Sequence, residues 1–176
     1  RISDRVELAS GVTAADGSFQ LPFSIAQPVD AFVSVENVGR AHQVHFARPL
    51  FGSKTLDIRL FDNATLFEFS SQCTPVGGNQ GMIAVRVESG DGAPVAGAVV
   101  TITPSFGVPI CYTDPASLKP RQTPNTFSDG FAWMFPPQTP PTVTLQAALG
   151  ATMTFGPRML EVPLGAIVFA AIAPPD

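Results

Sequence analysis

Two histidines, His42 and His45, are the first residues to test for acid–base or metal chemistry. Three positions apart in a stretch that reads as a strand, they point to opposite faces and do not converge on one metal without a bulge. We therefore expect strand histidines that are exposed or hydrogen-bonded in place. The two cysteines, Cys73 and Cys111, form no C-x-x-C motif and no Cys/His cluster, so a zinc site is not expected. They read either as one disulfide, which an oxidising compartment permits, or as two buried thiols. Asp16, Asp91 and Asp129 each precede a glycine. Asp91 and Asp129 could offer oxygens to calcium, but the D-x-D-x-D-G loop pattern is missing, and all three are assigned to turns. The sequence holds no G-x-S-x-G elbow and no glycine-rich phosphate loop between a strand and a helix. No catalytic residue, metal or cofactor is expected.

The segment 104–127 carries little strand pattern and is the longest irregular stretch. Its Tyr112, Lys119 and Arg121, with nearby Trp133, are the candidates for contacting a partner, since aromatics and Arg dominate interface energetics. The alternative is a proline-stiffened cover over one end of the fold, with Trp133 in the core. Asn63-Ala64-Thr65 also fits the N-glycosylation acceptor pattern.

The elements that position these residues are short strands. The chain has 176 residues, 45% hydrophobic and 14% charged, with 18 Pro and 15 Gly spread along its length. That composition suits many strands joined by turns and opposes long helices, so an all-β protein is expected, with one sizeable core or two modest ones. A net charge of −4 without a basic run lacks the footprint of a nucleic-acid binder. The apolar stretch 162–174 falls short of the about 20 residues that span a bilayer and reads as a buried strand. Alternation and bounding turns place strands at 5–10, 18–23, 31–38, 42–47 and 55–61, with 66–70 completing a sheet or leading into a linker at 71–80. Further strands are expected at 82–88, 98–103, 131–135, 142–148, 152–155 and 165–172.

The chain also repeats itself at an offset of about 110 residues. Ala15-Asp16-Gly17-Ser18-Phe19 matches Ser128-Asp129-Gly130-Phe131, Phe32-Val33-Ser34-Val35 matches Thr142-Val143-Thr144-Leu145, and later blocks follow in the same order. The second unit opens with Val85-Arg86-Val87-Glu88, an Asp91-Gly92 turn, the corner Pro94-Val95-Ala96-Gly97-Ala98, and a second strand. No counterpart of that opening precedes the first unit. The first unit is thus expected to lack its opening strands: either the chain is a piece cut from a longer protein or a shorter first domain closes its sheet some other way, and an exposed sheet edge would invite strand addition.

Strand, "PVxGA" corner, strand and a later "DG-aromatic" hairpin resemble the carboxypeptidase regulatory-like, or transthyretin-like, family of immunoglobulin-like β-sandwich domains. The resemblance and the repeat together imply two tandem modules: residues 1–70, a linker at 71–80, and residues 81–176. The family's name comes from a domain beside a zinc peptidase that does not itself hydrolyse peptides, and the peptidase's His-x-x-Glu motif is absent. The histidine set and Tyr-Arg-Gly-Ser tail of the transthyretin-like hydrolases are also absent, and one tyrosine is too few for an intradiol dioxygenase. The expected function is a non-enzymatic structural, adhesion or recognition module of an exported or cell-surface protein, extracellular or in the cell envelope and bacterial. Its expected partner is a protein or a cell-surface polysaccharide. The alternative is an accessory carbohydrate- or substrate-binding module of a secreted hydrolase, which a stripe of exposed aromatics on one sheet face would favour.

Overall fold

The computed structural model describes residues 6–24, 26–46, 49, 55–56, 58, 60–73, 82–105, 107, 109–114, 119–136, 142–163 and 165–175. Its strands are β1 (Val33–Val35), β2 (Gln43–Phe46), β3 (Met82–Val87), β4 (Val99–Thr103), β5 (Cys111–Asp114), β6 (Lys119–Arg121), β7 (Phe131–Met134), β8 (Thr142–Leu149), β9 (Met153–Glu161) and β10 (Ile167–Ile172). The helix α1 (Asn63–Cys73) precedes β3. The protein is all-β in character, with a seven-stranded sheet of order β1-β2-β10-β3-β7-β5-β6 and a three-stranded sheet of order β4-β8-β9.

The apolar runs Met82–Val87 and Ile167–Ile172 lie side by side at the centre of the large sheet, in parallel register from Ile167 opposite Met82 to Ile172 opposite Val87. Strands buried on both faces need no polar alternation, which explains their near-continuous hydrophobicity. One face, with Val44, Ile83, Val85, Val168, Ala170 and Met134, packs on Val100, Val143, Leu145, Phe155 and Leu160 of the small sheet. β8 shows the matching period, with Val143, Leu145 and Ala147 buried and Thr142 and Gln146 exposed. Tyr112 crosses this core. Its side chain is buried, and its hydroxyl oxygen accepts a hydrogen bond from the Val100 amide at 3.2 Å. Burial raises the Tyr112 pKa, so the neutral phenol is the form the core holds.

The corner and hairpin motifs meet at the end of β3. The Val87 amide donates to the Gly130 carbonyl at 3.0 Å, and the Val87 carbonyl accepts from the Val95 amide at 2.9 Å. Thr126, buried nearby, accepts from the Ala98 amide at 2.9 Å and donates to the Val95 carbonyl at 2.7 Å. The Pro94–Ala98 corner is therefore held as a backbone connection between the sheets. The three Asp-Gly pairs form the expected turns, and the Asp129 carboxylate accepts from the Phe131 amide at 3.1 Å. The Ser18 hydroxyl and amide, donating to Asp16, lower the Asp16 pKa.

Three features depart from the expected layout. First, β2 pairs in parallel with β10, from Gln43 opposite Ile167 to Phe46 opposite Ala170, and β1 pairs with the far side of β2. The hairpin from the first stretch of sequence thus extends the sheet built by the second. Residues 18–23 and the described residues of 5–10 and 55–61 lie outside strands. Second, residues 66–70 and 71–73 belong to α1 rather than to a strand and a linker. Asp62 caps the helix: its carboxylate accepts the Thr65 amide at 2.8 Å and its carbonyl the Leu66 amide at 3.1 Å. That bond, with Arg40 close by, lowers the Asp62 pKa. Third, 104–127 contains the antiparallel pair β5–β6, and β5 joins β7 in the large sheet. Residues 74–80 lie outside the described residues.

Arg158 of β9 ties the small sheet to the large one. Its Nη1 donates to the carbonyls of Phe46 at 3.0 Å and Ala171 at 2.8 Å, while Nη2 meets Asp30 at 3.1 Å. Charge-assisted bonds from a mostly buried guanidinium contribute more than neutral ones. Arg158→Met strands those carbonyls and lowers unfolding free energy by about 2 kcal/mol in urea denaturation, with little change in far-ultraviolet circular dichroism.

Candidate functional site

The second face of the large sheet carries its own apolar cluster. Met82, Ala84, Cys111, Trp133 and Ile167 pack there against Phe69 and Cys73 of α1. Leu66, Phe69 and Cys73 recur at helical spacing and turn toward the sheet. Three links hold the helix down. Cys73 and Cys111 form a disulfide with Cα atoms 5.9 Å apart, the Cys73 carbonyl accepts from Gln122 Nε2 at 2.8 Å, and Lys119 pairs with Glu68 of α1 at 2.8 Å. The disulfide reading of the two cysteines is thus the one that the geometry carries, and the separation falls within the usual range.

Beside α1 the sheet face opens into a cavity of about 340 Å³, lined by His45, Phe61, Phe69, Phe131, Trp133 and Phe169, with Arg86, Glu88, Thr113 and Asp129 among its polar groups. Strand alternation explains the composition. Phe169 stands opposite both His45 and Ala84 in the ladder, and Trp133 opposite Ala84 and Cys111, so these residues share one face. The rings brace one another. His45 stacks on Phe169 at 4.6 Å and 4°, Phe61 stacks on Phe169 at 5.9 Å, and Trp133 meets Phe69 edge-on at 5.4 Å and Phe169 at 6.0 Å. Trp133 Nε1 donates to the Thr113 hydroxyl, which fixes the indole.

The polar groups sit along the ends of β3 and β7. Arg86 lies 6.0 Å over the Phe131 ring and pairs with Glu88 at 3.2 Å through Nη1. Its Nε is buried and has no hydrogen-bond partner among the described residues. His45 is within 3.2 Å of Gln43 Oε1, and burial lowers its pKa to about 4. The imidazole is therefore neutral at pH 7. Because the folded-state value lies below the unfolded one, the unfolded chain takes up the proton first, and stability is lost as pH falls from about 6.5 toward 4. We expect about 2 kcal/mol of this loss between pH 7 and pH 5, removed in His45→Phe, by urea denaturation at each pH.

The four residues expected to contact a partner do not come together. Tyr112 faces the inter-sheet core, whereas Trp133 lies on the opposite face in the cavity wall. Both side chains are buried. Lys119 and Arg121 are exposed on β6, where Lys119 is engaged with Glu68. His42 and His45 have separate surroundings, His42 lying 2.8 Å from the Ser34 hydroxyl. Among the described residues no group of three or more His, Cys, Asp or Glu side chains comes together as a metal site, and no helix is long and apolar enough to cross a membrane. The cavity residues that sequence reasoning passed over, Phe131, Phe169, Arg86 and Glu88, carried one signal: each alternates with core residues in a strand and so belongs to the second face.

A second hollow of about 790 Å³ lies between residues 6–23 and β1. Its walls come mainly from segments outside the strands, while the aromatic cavity is built on paired strands and a disulfide-held helix. No protein-family model matches the chain, and no curated protein matches it.

Proposed function

We propose that this chain is a non-enzymatic recognition module of an exported or cell-surface protein, of the carboxypeptidase regulatory-like or transthyretin-like kind, acting in the extracellular space or cell envelope of a bacterium. In this reading the stretch up to Cys73 lends β1, β2 and α1 to a sandwich whose other strands come from 81–176. The observation that carries the proposal is the braced aromatic cavity on the outer face of the large sheet, bordered by Phe69 of α1, the helix that the Cys73–Cys111 disulfide ties to β5. A rigid aromatic wall with a few converging polar groups is how binding sites are commonly built. The disulfide supports an oxidising compartment, and the short β1 edge offers a place for strand addition by a protein partner.

The second reading is an accessory carbohydrate- or substrate-binding module attached to a secreted hydrolase; the aromatic wall of the cavity supports it, with rings that are buried or half-buried rather than an exposed stripe. The test of the exported-module proposal is the thiol state in the native host. Alkylation without reductant, followed by mass spectrometry, is expected to leave Cys73 and Cys111 unmodified and linked. Both cysteines alkylated in freshly lysed cells would overturn it.

A further inference from the structure

We propose that the cavity between the outer face of the large sheet and α1 binds a neutral pyranose ring, presented by a polysaccharide or oligosaccharide. This deepens the recognition reading above and rests on it. The cavity volume of about 340 Å³ is near the lower end of the about 300–1,000 Å³ range for small-ligand sites, a scale that suits one or two rings rather than a folded partner. Its wall is aromatic, and the C–H faces of a pyranose pack on such rings, while its hydroxyls need donors and acceptors at the margin. Arg86 supplies the donors: its side chain is 38% exposed at the cavity margin, and its guanidinium N–H groups can donate to a hydroxyl oxygen. Glu88 and Asp129 supply acceptors on the same side.

Other ligand classes fit less well. An anion meets two carboxylates against one guanidinium, and a quaternary ammonium meets Arg86 across the Phe131 ring. A wholly apolar ligand would strip water from the partly exposed Arg86 side chain without replacing its hydrogen bonds, which costs free energy. A neutral polyhydroxylated ring can accept from the Arg86 guanidinium and donate to the Glu88 and Asp129 oxygens, which keep their existing bonds to Arg86 and the Phe131 amide.

Trp133 is the only tryptophan in the chain and stands in the cavity wall, so its fluorescence reports this site alone. The experiment titrates the intact protein with neutral gluco-, manno- and galacto-oligosaccharides and their soluble polysaccharides. Galacturonate oligomers and choline serve as the acidic and cationic comparisons. A saturable change with at least one neutral sugar is expected, weakened about tenfold or more in Arg86→Met, which removes a charged hydrogen-bond donor. Phe131→Leu is expected to weaken it as well, with circular dichroism showing that both variants fold. Binding by the oligosaccharides alone would identify short free glycans, and tighter binding by the polymer an extended chain. No saturable change with any neutral sugar overturns the proposal, as does a response confined to galacturonate or choline, or sugar binding unaltered in Arg86→Met. Those results would leave the thiol-state test of the exported module standing, so the two proposals fail separately.

Discussion

Replacing Cys73 and Cys111 together by alanine is expected to lower the free energy of unfolding by about 4 kcal/mol, the loop-closure value for a bridge across a sequence separation of 38. The bridge joins the last residue of α1 to the first of β5, so its loss frees the helix as well as enlarging the unfolded ensemble. Phe69 and Cys73 then lose their hold over Trp133, and the indole becomes wetter. Urea denaturation followed by tryptophan fluorescence reads both effects. The expected result is a lower midpoint together with red-shifted native emission. A loss below about 1 kcal/mol with unchanged emission would show that α1 is held by Lys119–Glu68 and Gln122 without the bridge.

Gly130→Ala is the second large effect, expected to cost about 3 kcal/mol. Gly130 has φ of 71°, and an added Cβ would lie 2.7 Å from the Val87 carbonyl oxygen and 3.2 Å from Pro94 Cβ. Neither neighbour can withdraw freely, because the Val87 carbonyl accepts the Val95 amide and the corner connects the two sheets. Gly92→Ala is the control. Gly92 has φ of 89°, but its Cβ would meet nothing within 4 Å, so only the backbone penalty of about 1 kcal/mol remains. Equal losses at the two positions, by thermal or urea denaturation, would contradict the close approach at Gly130.

The contrast between these glycines shows what the sequence made legible. Strands 82–88, 98–103, 131–135, 142–148 and 165–172 were placed within two residues of β3, β4, β7, β8 and β10, because each joins a clear apolar pattern to a turn. β9 runs on to Glu161, past the expected end at 155, since Pro157 is tolerated in an edge strand. The same tolerance hid β6, where Pro120 stands at the edge of the large sheet. In Phe67-Glu68-Phe69-Ser70, apolar and polar residues alternate as in a strand, yet Asp62 caps a helix that buries Phe69 and leaves Phe67 exposed. A short window cannot distinguish the two periods.

The cavity was hidden for a different reason. Phe131, Trp133 and Phe169 read as strand residues, but nothing local says which of a strand's two faces a helix will cover. Parallel pairing of β2 with β10 links residues far apart in sequence, and it alone brings His45 onto Phe169. The Asp129-Gly130-Phe131 hairpin was read for its turn, and its aromatic is the residue over which Arg86 sits. The alternation that places both on the second face became meaningful only once the sheet order was known.

The β1–β2 hairpin completes the large sheet and, through His45 and Phe46, one wall of the cavity. Native-state amide hydrogen exchange tests this directly, residue by residue. Amides within Gln43–Phe46 are expected to be protected to nearly the same free energy as those within Ile167–Ile172, since the strands open together. Rapid exchange across Gln43–Phe46 beside fully protected Ile167–Ile172 would contradict it.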